Sequence, residues 1–424
     1  MKLPILSSNT QLGIQQQLRK LYERIAEHNG VIPDLCFNNT SYQGLRNYLD
    51  PIHRKAQKCE FGVGEYVTGV GSLGFSAYHG AVYAPTLNRI YLIPSAIANQ
   101  ANWHYIDCNT GEVVTYAHNL GADTPVSEAY YYGCYDPYND IIWMSPYAQG
   151  PESKWHYIDG KTGEVVAYTH GIGVVANYSY LGAIFSPLQN RVYFSPGSQY
   201  DQGDYHYVNC DTKNIEAYTP TTPVPNTCAG GAYDPINNRI YFAPYYFPAT
   251  DGVAYLDCND GSINILSTVS GQFSSGAYIG AIFAPTLKRI YFIPYSQGPE
   301  VYWHYIDCDT NQVVAYENGV TTENYAYEGA SYSPVTNRIY MAPMNQATQS
   351  TLHYIDGKTG EVVAYNPVTV VRSRGGIYVP SMSRIYLIPS GNGTQSLSWN
   401  YIQEYTDVEV SRSLTGGGIY NKTP

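Results

Sequence analysis

A chain of 424 residues with only 13% charged side chains, 46 Tyr and 39 Gly builds its surface largely from Tyr, Gly and small polar residues. Its net charge of -11 opposes binding to the phosphates of nucleic acids, so we expect no nucleic-acid partner. No run of 18 apolar residues occurs, so we also expect no insertion into a membrane.

The first 74 residues predict a helical N-terminal anchor and linker. A helix is predicted over residues 8–29, because Ser8 and Gln11 can form a capping box and Asn29-Gly30 ends the apolar pattern. Its apolar residues are spaced as in a coiled-coil seam: Ile14, Leu18, Leu21 and Ile25. Such a seam packs either against the rest of its own chain or against another subunit, and the second alternative predicts an oligomer.

A second short helix is predicted over residues 41–49, and residues 50–74 are interpreted as a linker. The segment from Met1 to Leu6 lacks the long apolar stretch of a signal peptide. We therefore expect synthesis in a cytoplasm.

From residue 75 onward, a pair of prolines nine residues apart recurs about every 50 residues: Pro85/Pro94, Pro137/Pro146, Pro187/Pro196, Pro235/Pro244, Pro285/Pro294, Pro334/Pro343 and Pro380/Pro389. Each unit holds four runs of alternating apolar residues bounded by Gly, Pro and Asn, which we label strands A to D. Four strands per unit, repeated radially, predict an all-β fold, a seven-bladed β-propeller behind a short α-helical N-terminal segment. The predicted blades span residues 75–120, 121–173, 174–222, 223–272, 273–321, 322–368 and 369–424.

The sequence leaves two alternatives for the strand that closes the ring. Either Tyr66-Val67-Thr68 joins the last blade, or Val408 to Leu414 completes that blade without the N-terminal segment.

The turn between strands C and D follows the pattern Asp-x-x-Thr-Gly-x-Val-Val, as in Asp159 to Val166 and Asp356 to Val363. This turn resembles that of several propeller families, including the quinoprotein dehydrogenases and the surface-layer type propellers. Quinoprotein function does not follow, because the Trp that usually ends that motif is Tyr here, at Tyr116, Tyr168 and Tyr365. We expect no cofactor.

The connections of each unit differ in how much they vary. The A–B and C–D turns are nearly constant, whereas the B–C and D–A loops differ in every unit, and binding sites usually lie on such loops. The aromatic candidates are Tyr147, Tyr200, Tyr245, Tyr246 and Tyr295. Their rings suit stacking on sugars or on protein surfaces, and the alternative is that they pack loop against loop.

Candidates for chemistry are few, and we expect no enzyme. The strand-C histidines are interpreted as structural hydrogen-bonding residues rather than metal ligands: His104, His156, His206, His304 and His353. The repeated aspartates after strand C are expected to accept hydrogen bonds from the following turn. His118 and His170, with Glu128 nearby, are the remaining candidates for an acid/base pair. All eight cysteines are interpreted as free thiols, and no metal site is expected.

An N-terminal attachment segment followed by a repetitive, Tyr- and Gly-rich β domain resembles the layout of tailed-phage virion proteins, such as tail fibres, baseplate appendages and head decorations. The resemblance implies a non-enzymatic virion component that docks on other subunits through residues 1–70. The propeller would then contact a cell-surface glycan or protein. The alternatives are a soluble propeller lectin and, third, a polysaccharide-acting enzyme.

Overall fold

The computed structural model describes residues 60–67, 76–173, 175–201, 203–224, 228–245, 252–267, 273–367, 370–390 and 398–405. The predicted helices over residues 8–29 and 41–49 lie outside this part of the chain, and so do Ile14, Leu18, Leu21, Ile25 and Tyr246.

Within the described residues, 28 strands form seven four-stranded sheets, which confirms the predicted all-β propeller. The chain begins with β1 (Glu60–Val67). Blades 1 to 3 contain β2 (Tyr78–Ala84), β3 (Arg89–Pro94), β4 (Asn102–Asp107), β5 (Val113–Ala117), β6 (Tyr130–Asp136), β7 (Ile141–Pro146), β8 (Lys154–Asp159), β9 (Val165–Thr169), β10 (Tyr180–Ser186), β11 (Arg191–Pro196), β12 (Tyr205–Asn209) and β13 (Asn214–Tyr218).

Blades 4 to 6 contain β14 (Cys228–Asp234), β15 (Arg239–Pro244), β16 (Val253–Asp257), β17 (Ile263–Leu266), β18 (Tyr278–Ala284), β19 (Arg289–Pro294), β20 (Tyr302–Asp307), β21 (Gln312–Glu317), β22 (Tyr327–Ser333), β23 (Arg338–Pro343), β24 (Leu352–Asp356) and β25 (Val362–Tyr365). Blade 7 holds β26 (Ser373–Val379), β27 (Arg384–Pro389) and β28 (Ser398–Tyr405). Short 3-10 helices lie at Gly121–Asp123, Ser198–Asp201, Asn345–Thr348 and Pro380–Met382.

The ring closes through the N-terminal strand. β1 pairs antiparallel with β28 over eight residues, from Glu60 opposite Tyr405 to Val67 opposite Ser398, and is the outermost strand of blade 7. Residues 60–67, interpreted as linker from the sequence, are therefore part of the propeller. The physical reason is that Phe61 and Val63 pack into the apolar cluster between blades 6 and 7, while Gly64 leaves room for the Tyr401 ring.

This pairing also fixes where the N-terminal segment joins the ring. We call the side with the A–B and C–D turns the turn face, and the side with the B–C and D–A loops the loop face. β28 is a C strand, so it ends at the turn face, and Glu60 lies opposite its last residue. β1 therefore begins at the turn face.

The core consists of apolar clusters between neighbouring blades, one at each of the seven junctions. The repeated Arg of strand B lies over a strand-C tyrosine of its own blade; the Arg89 guanidinium, for example, is 4.3 Å from the Tyr105 ring centre. The next blade's C–D turn packs against this pair, and Gly163, with φ of +80°, lies beside Tyr91 and Arg89. These contacts explain why strand B and the C–D turn repeat so closely.

The repeated aspartates cap that turn, as the sequence predicts. Asp159 Oδ1 accepts hydrogen bonds from the backbone N–H groups of Lys161 (2.8 Å) and Thr162 (2.9 Å). The same geometry recurs at Asp356. The six cysteines of the described part of the chain are free thiols.

Candidate functional site

Three of the predicted tyrosines meet near the axis of the loop face. Tyr147, Tyr245 and Tyr295 each directly follow strand B and pack, half-buried, against a small apolar cluster of the inner strands. That cluster consists of Leu181, Ala229 and Ile279, from blades 3, 4 and 5. Tyr200 lies in the 3-10 helix Ser198–Asp201, but its side chain is outside the described part of the structure.

Two of these tyrosines form equivalent pairs with a tyrosine of the next blade, and we call these pairs the tyrosine clamps. The ring centres of Tyr147 and Tyr178 are 4.8 Å apart with planes at 44°, and Tyr295 and Tyr325 have the same distance and angle. Tyr178 is 43% exposed and Tyr325 is 44% exposed. The outer tyrosine of each clamp is thus exposed to solvent between two blades.

The outer tyrosine of each clamp is held by its own loop. Tyr178 has φ of +57° and Tyr325 has φ of +56°. Each backbone N–H donates to the preceding asparagine, Asn177 or Asn324, over 3.1 Å. Ser76, Glu128 and Gly276 occupy the same place at three other junctions, so the clamp is a local feature on a repeated loop geometry. The shared Asn-Tyr-small sequence of the two D–A loops was the signal for these residues.

The innermost strands carry a second feature that the sequence analysis missed. The residue after the first residue of each A strand is different in every blade, and we call these seven the axial row: His79, Tyr131, Leu181, Ala229, Ile279, Glu328 and Arg374. Blades 6, 7, 1 and 2 contribute charged or polar side chains, and blades 3, 4 and 5 contribute apolar ones. The row is the place where the repeat is broken.

Glu328 and Arg374 form a buried ion pair at this row. Arg374 Nη1 donates to Glu328 Oε1 over 2.6 Å, and Arg374 Nη2 donates to Ser76 Oγ over 3.1 Å. The Tyr131 hydroxyl donates to the same Glu328 oxygen over 3.3 Å. Blades 2 and 6 are not neighbours, so this last hydrogen bond crosses the ring axis. The cluster therefore closes the centre of the propeller at its loop-face end.

Burial sets the charges of the cluster. It raises the pKa of the Glu328 carboxyl, and the charge and hydrogen bond of Arg374 oppose that rise. Burial, together with the Arg374 charge, holds the pKa of His79 well below its usual range, so His79 is neutral at neutral pH. With both members of the pair ionised, the cluster carries a positive and a negative charge in contact and has no net charge.

His118 and His170, the candidates for acid/base chemistry, both form hydrogen bonds to backbone groups. In His118, Nε2 bonds to the Gln100 carbonyl over 2.7 Å, and Nδ1 accepts the N–H of Leu120 over 3.2 Å. His170 bonds equivalently to Glu152 and Ile172. Both ring nitrogens of each histidine are therefore engaged in hydrogen bonds to the backbone of the neighbouring loops.

The strand-C histidines bond within their blades. Each bonds through Nδ1 to the hydroxyl of the first tyrosine of strand A: Tyr78–His104, Tyr130–His156, Tyr180–His206, Tyr278–His304 and Tyr327–His353. Their structural interpretation is therefore confirmed.

A cavity of about 450 Å³ lies along the axis between the axial row and the turn face. Small residues such as Ala81 and Gly133 line it, together with one aromatic residue from each blade. The hydroxyls of Tyr83 and Tyr332 point away to Asn88 and Asn337 of the A–B turns, each over 2.8 Å. Because its lining repeats from blade to blade, this cavity belongs to the scaffold.

No group of three His, Cys, Asp or Glu side chains that could hold a metal ion is found among the described residues. Within the same part of the chain, no helix is long and apolar enough to cross a membrane.

Comparisons with known proteins show the fold alone. No family model and no curated protein matches the chain. One similar solved structure is a chain of the mitotic checkpoint complex, with TM-score 0.52 and 10% identity over 81% of this chain and 90% of that one. Another is the extracellular domain assigned to a hybrid two component system, BT3049, of B. thetaiotaomicron, with TM-score 0.54 and 11% identity over 81% of this chain and 42% of that one. This fold is compatible with a binding or structural role.

Proposed function

We propose that the protein is a non-enzymatic structural and binding component of a larger assembly, with a virion as the first candidate. Its N-terminal segment attaches to other subunits, and the propeller presents its loop face to a cell-surface molecule or to a further subunit. The tyrosine clamps are the contact residues that this proposal names.

The observation that carries the proposal is the opposite placement of attachment and clamps. The N-terminal segment joins the ring at the turn face, because Glu60 lies opposite Tyr405 at the end of a C strand. Tyr178 and Tyr325 lie in D–A loops, at the loop face. An anchor at one end of a rigid ring directs the other end outward.

The chemistry of the loop face supports contact with a partner. Exposed tyrosines offer large, rigid apolar faces with a polar tip, and ordering them costs little entropy. Tyr178 and Tyr325 themselves have left-handed backbone conformations, and each ring packs against a second tyrosine. Little further ordering of these side chains is therefore needed on binding.

A soluble propeller lectin is the second candidate. It is favoured by the equivalence of the two clamps, since a lectin of this type binds glycan at several similar sites between blades. In that function the N-terminal segment has no part.

The clamps are tested with the double variant Tyr178→Ser/Tyr325→Ser and the control Tyr302→Ser. Tyr302 is 45% exposed but lies at the start of β20, where it bonds to Glu317 rather than to a second tyrosine. Binding to an array of purified bacterial surface polysaccharides is measured for the full chain. Losing two stacking contacts of about 0.5–1.5 kcal/mol each weakens binding about five- to 150-fold, and the control binds like the original chain. Equal binding by the clamp variant and the original chain would remove the clamps from the proposal.

A further inference from the structure

The cavity of about 450 Å³ on the propeller axis is lined by two rings of residues, which every blade supplies. The fourth residue of each A strand is Gly or Ala, so no side chain larger than a methyl group projects from this position. The sixth residue is aromatic in every blade: Tyr83, Tyr135, Phe185, Tyr233, Phe283, Tyr332 and Tyr378. Prolines of three A–B turns also line the cavity, so it reaches the turn face. Its volume lies within the range of about 300–1,000 Å³ that is typical of small-molecule sites.

The lining of this cavity is uncharged and apolar. Among the described residues that line it, none has a charged side chain. Four of its tyrosine hydroxyls already donate to Asn or Asp side chains of the A–B turns, over 2.7 to 2.9 Å: those of Tyr83, Tyr135, Tyr233 and Tyr332. A charged ligand would lose hydration here without meeting an opposite charge, which is costly. The lining therefore selects a neutral ligand.

The inner end of the cavity differs from blade to blade. The third residue of each A strand, which precedes the ring of Gly and Ala, is Gly in six blades and Tyr132 in blade 2. The Tyr132 ring lies beside Gly80 of blade 1, and its hydroxyl donates to the Arg374 carbonyl of blade 7 over 3.4 Å. In the same layer, a Cβ added at Gly280 or Gly375 would meet no heavy atom within 4 Å. The inner end thus has one aromatic ring among glycines, and space remains in that layer.

We propose that the axial cavity binds one small neutral molecule with an aromatic or otherwise apolar body. The molecule enters from the turn face and packs between the ring of Gly and Ala and the aromatic side chains. Burial of its apolar surface drives binding, and the aromatic side chains favour a ring in the ligand. The site lies at the opposite end of the axis from the tyrosine clamps, so this inference does not depend on the proposed function.

The test uses the full chain and the neutral dye N-phenyl-1-naphthylamine, whose fluorescence rises in apolar surroundings. The sulfonated derivative of the same dye carries a negative charge and is the charged comparison. The bound dye is located by NMR of isotope-labelled alanine methyl groups. The alanines of the cavity are Ala81, Ala183, Ala232, Ala281 and Ala330.

Ala281→Leu reduces the space in the cavity, and Ala217→Leu is the matched control. Ala281 is half-buried in the lining, whereas Ala217 is exposed on β13 at the outer edge of blade 3. The full chain is expected to bind one molecule of the neutral dye, and the sulfonate about tenfold more weakly because the lining has no cation. Ala281→Leu weakens binding of the neutral dye about tenfold through overpacking, and Ala217→Leu leaves it unchanged. Thermal unfolding of each variant shows that the propeller is intact.

The NMR measurement needs no substitution, so it decides the question even if Ala281→Leu does not fold. Methyl signals of the cavity alanines should shift on binding, while that of Ala229 in the axial row should not. Failure of the neutral dye to bind overturns the axial site, and so does binding that leaves the cavity signals unchanged. A dye that shifts only Ala229 and is lost from the clamp variant would place the apolar site on the loop face instead.

Discussion

A chain that begins at residue 68 is expected to lose its cooperative fold, whereas a chain that begins at Glu60 keeps it. The two differ only by β1, which supplies the fourth strand of blade 7 and joins the first part of the propeller to the last. Without it, the whole length of β28 becomes an open edge, and the ring is held only by contacts between blade faces.

The packing of β1 indicates how large this effect is. The Phe61 ring centre is 5.2 Å from that of Tyr340, 5.8 Å from that of Tyr354 and 5.1 Å from that of Tyr365, all in blade 6. Removing a well-packed aromatic side chain costs about 3–5 kcal/mol, and the loss of eight paired residues adds to it. That sum is comparable with the total stability of about 5–15 kcal/mol of an ordinary domain.

Differential scanning calorimetry of the two truncated chains and the full chain measures this effect. The chain beginning at Glu60 is expected to match the transition of the propeller in the full chain, and the chain beginning at residue 68 to unfold far below it or to aggregate. Phe61→Ala, in the full chain, should lie between them. Coincident transitions for the two truncated chains would show that β1 does not close the ring.

The propeller is also expected to lose stability steeply as the pH falls from about 6.5 to about 4. Burial lowers the pKa of His156, His206 and His353 to about 4, and it lowers that of His104 as well. An unfolded histidine has a pKa of about 6.5, so between these values the unfolded chain binds more protons than the folded one. The stabilisation is complete above pH 6.5 and is lost as the pH falls toward the folded values.

Urea unfolding at intervals of pH measures this dependence, and the sequence of blade 4 suggests a variant that lacks one of these histidines. Blade 4 has Cys228 and Ala254 where five other blades have the Tyr–His pair, so Tyr180→Cys/His206→Ala copies a combination that the fold already accepts. Between pH 6.5 and 4, the free energy of unfolding of this variant should fall less than that of the original chain. The variant has one fewer histidine that is buried and neutral in the folded chain and binds a proton on unfolding. An unchanged pH dependence would mean that His206 contributes nothing to it.

The sequence predicted the repeated parts of the molecule and missed the parts that occur once. The proline pairs recur in all seven units, the Arg of strand B in six and the Asp-x-x-Thr-Gly turn in three, so the number of blades and the strand order were predictable. The role of β1 was not, because Tyr66-Val67-Thr68 and Val408 to Leu414 both have a strand pattern and only pairing with β28 decides between them.

The same distinction between repeated and single features applies to the residues of the candidate site. Tyr147, Tyr245 and Tyr295 were predictable, because a residue directly after strand B must lie at the loop face. Tyr178 and Tyr325 were hidden in D–A loops of different length. Glu328 and Arg374 are far apart in sequence and meet only because their innermost strands converge on the axis.

Light scattering on the full chain and on the chain beginning at Glu60, over a range of concentrations, measures directly whether the propeller is carried by a separate attachment segment. The proposed function predicts that the full chain assembles into oligomers or joins larger particles, while the chain beginning at Glu60 stays a folded monomer. If both chains are monomers at every concentration, or if both assemble equally, residues 1–59 are not the attachment segment and the proposed arrangement is contradicted.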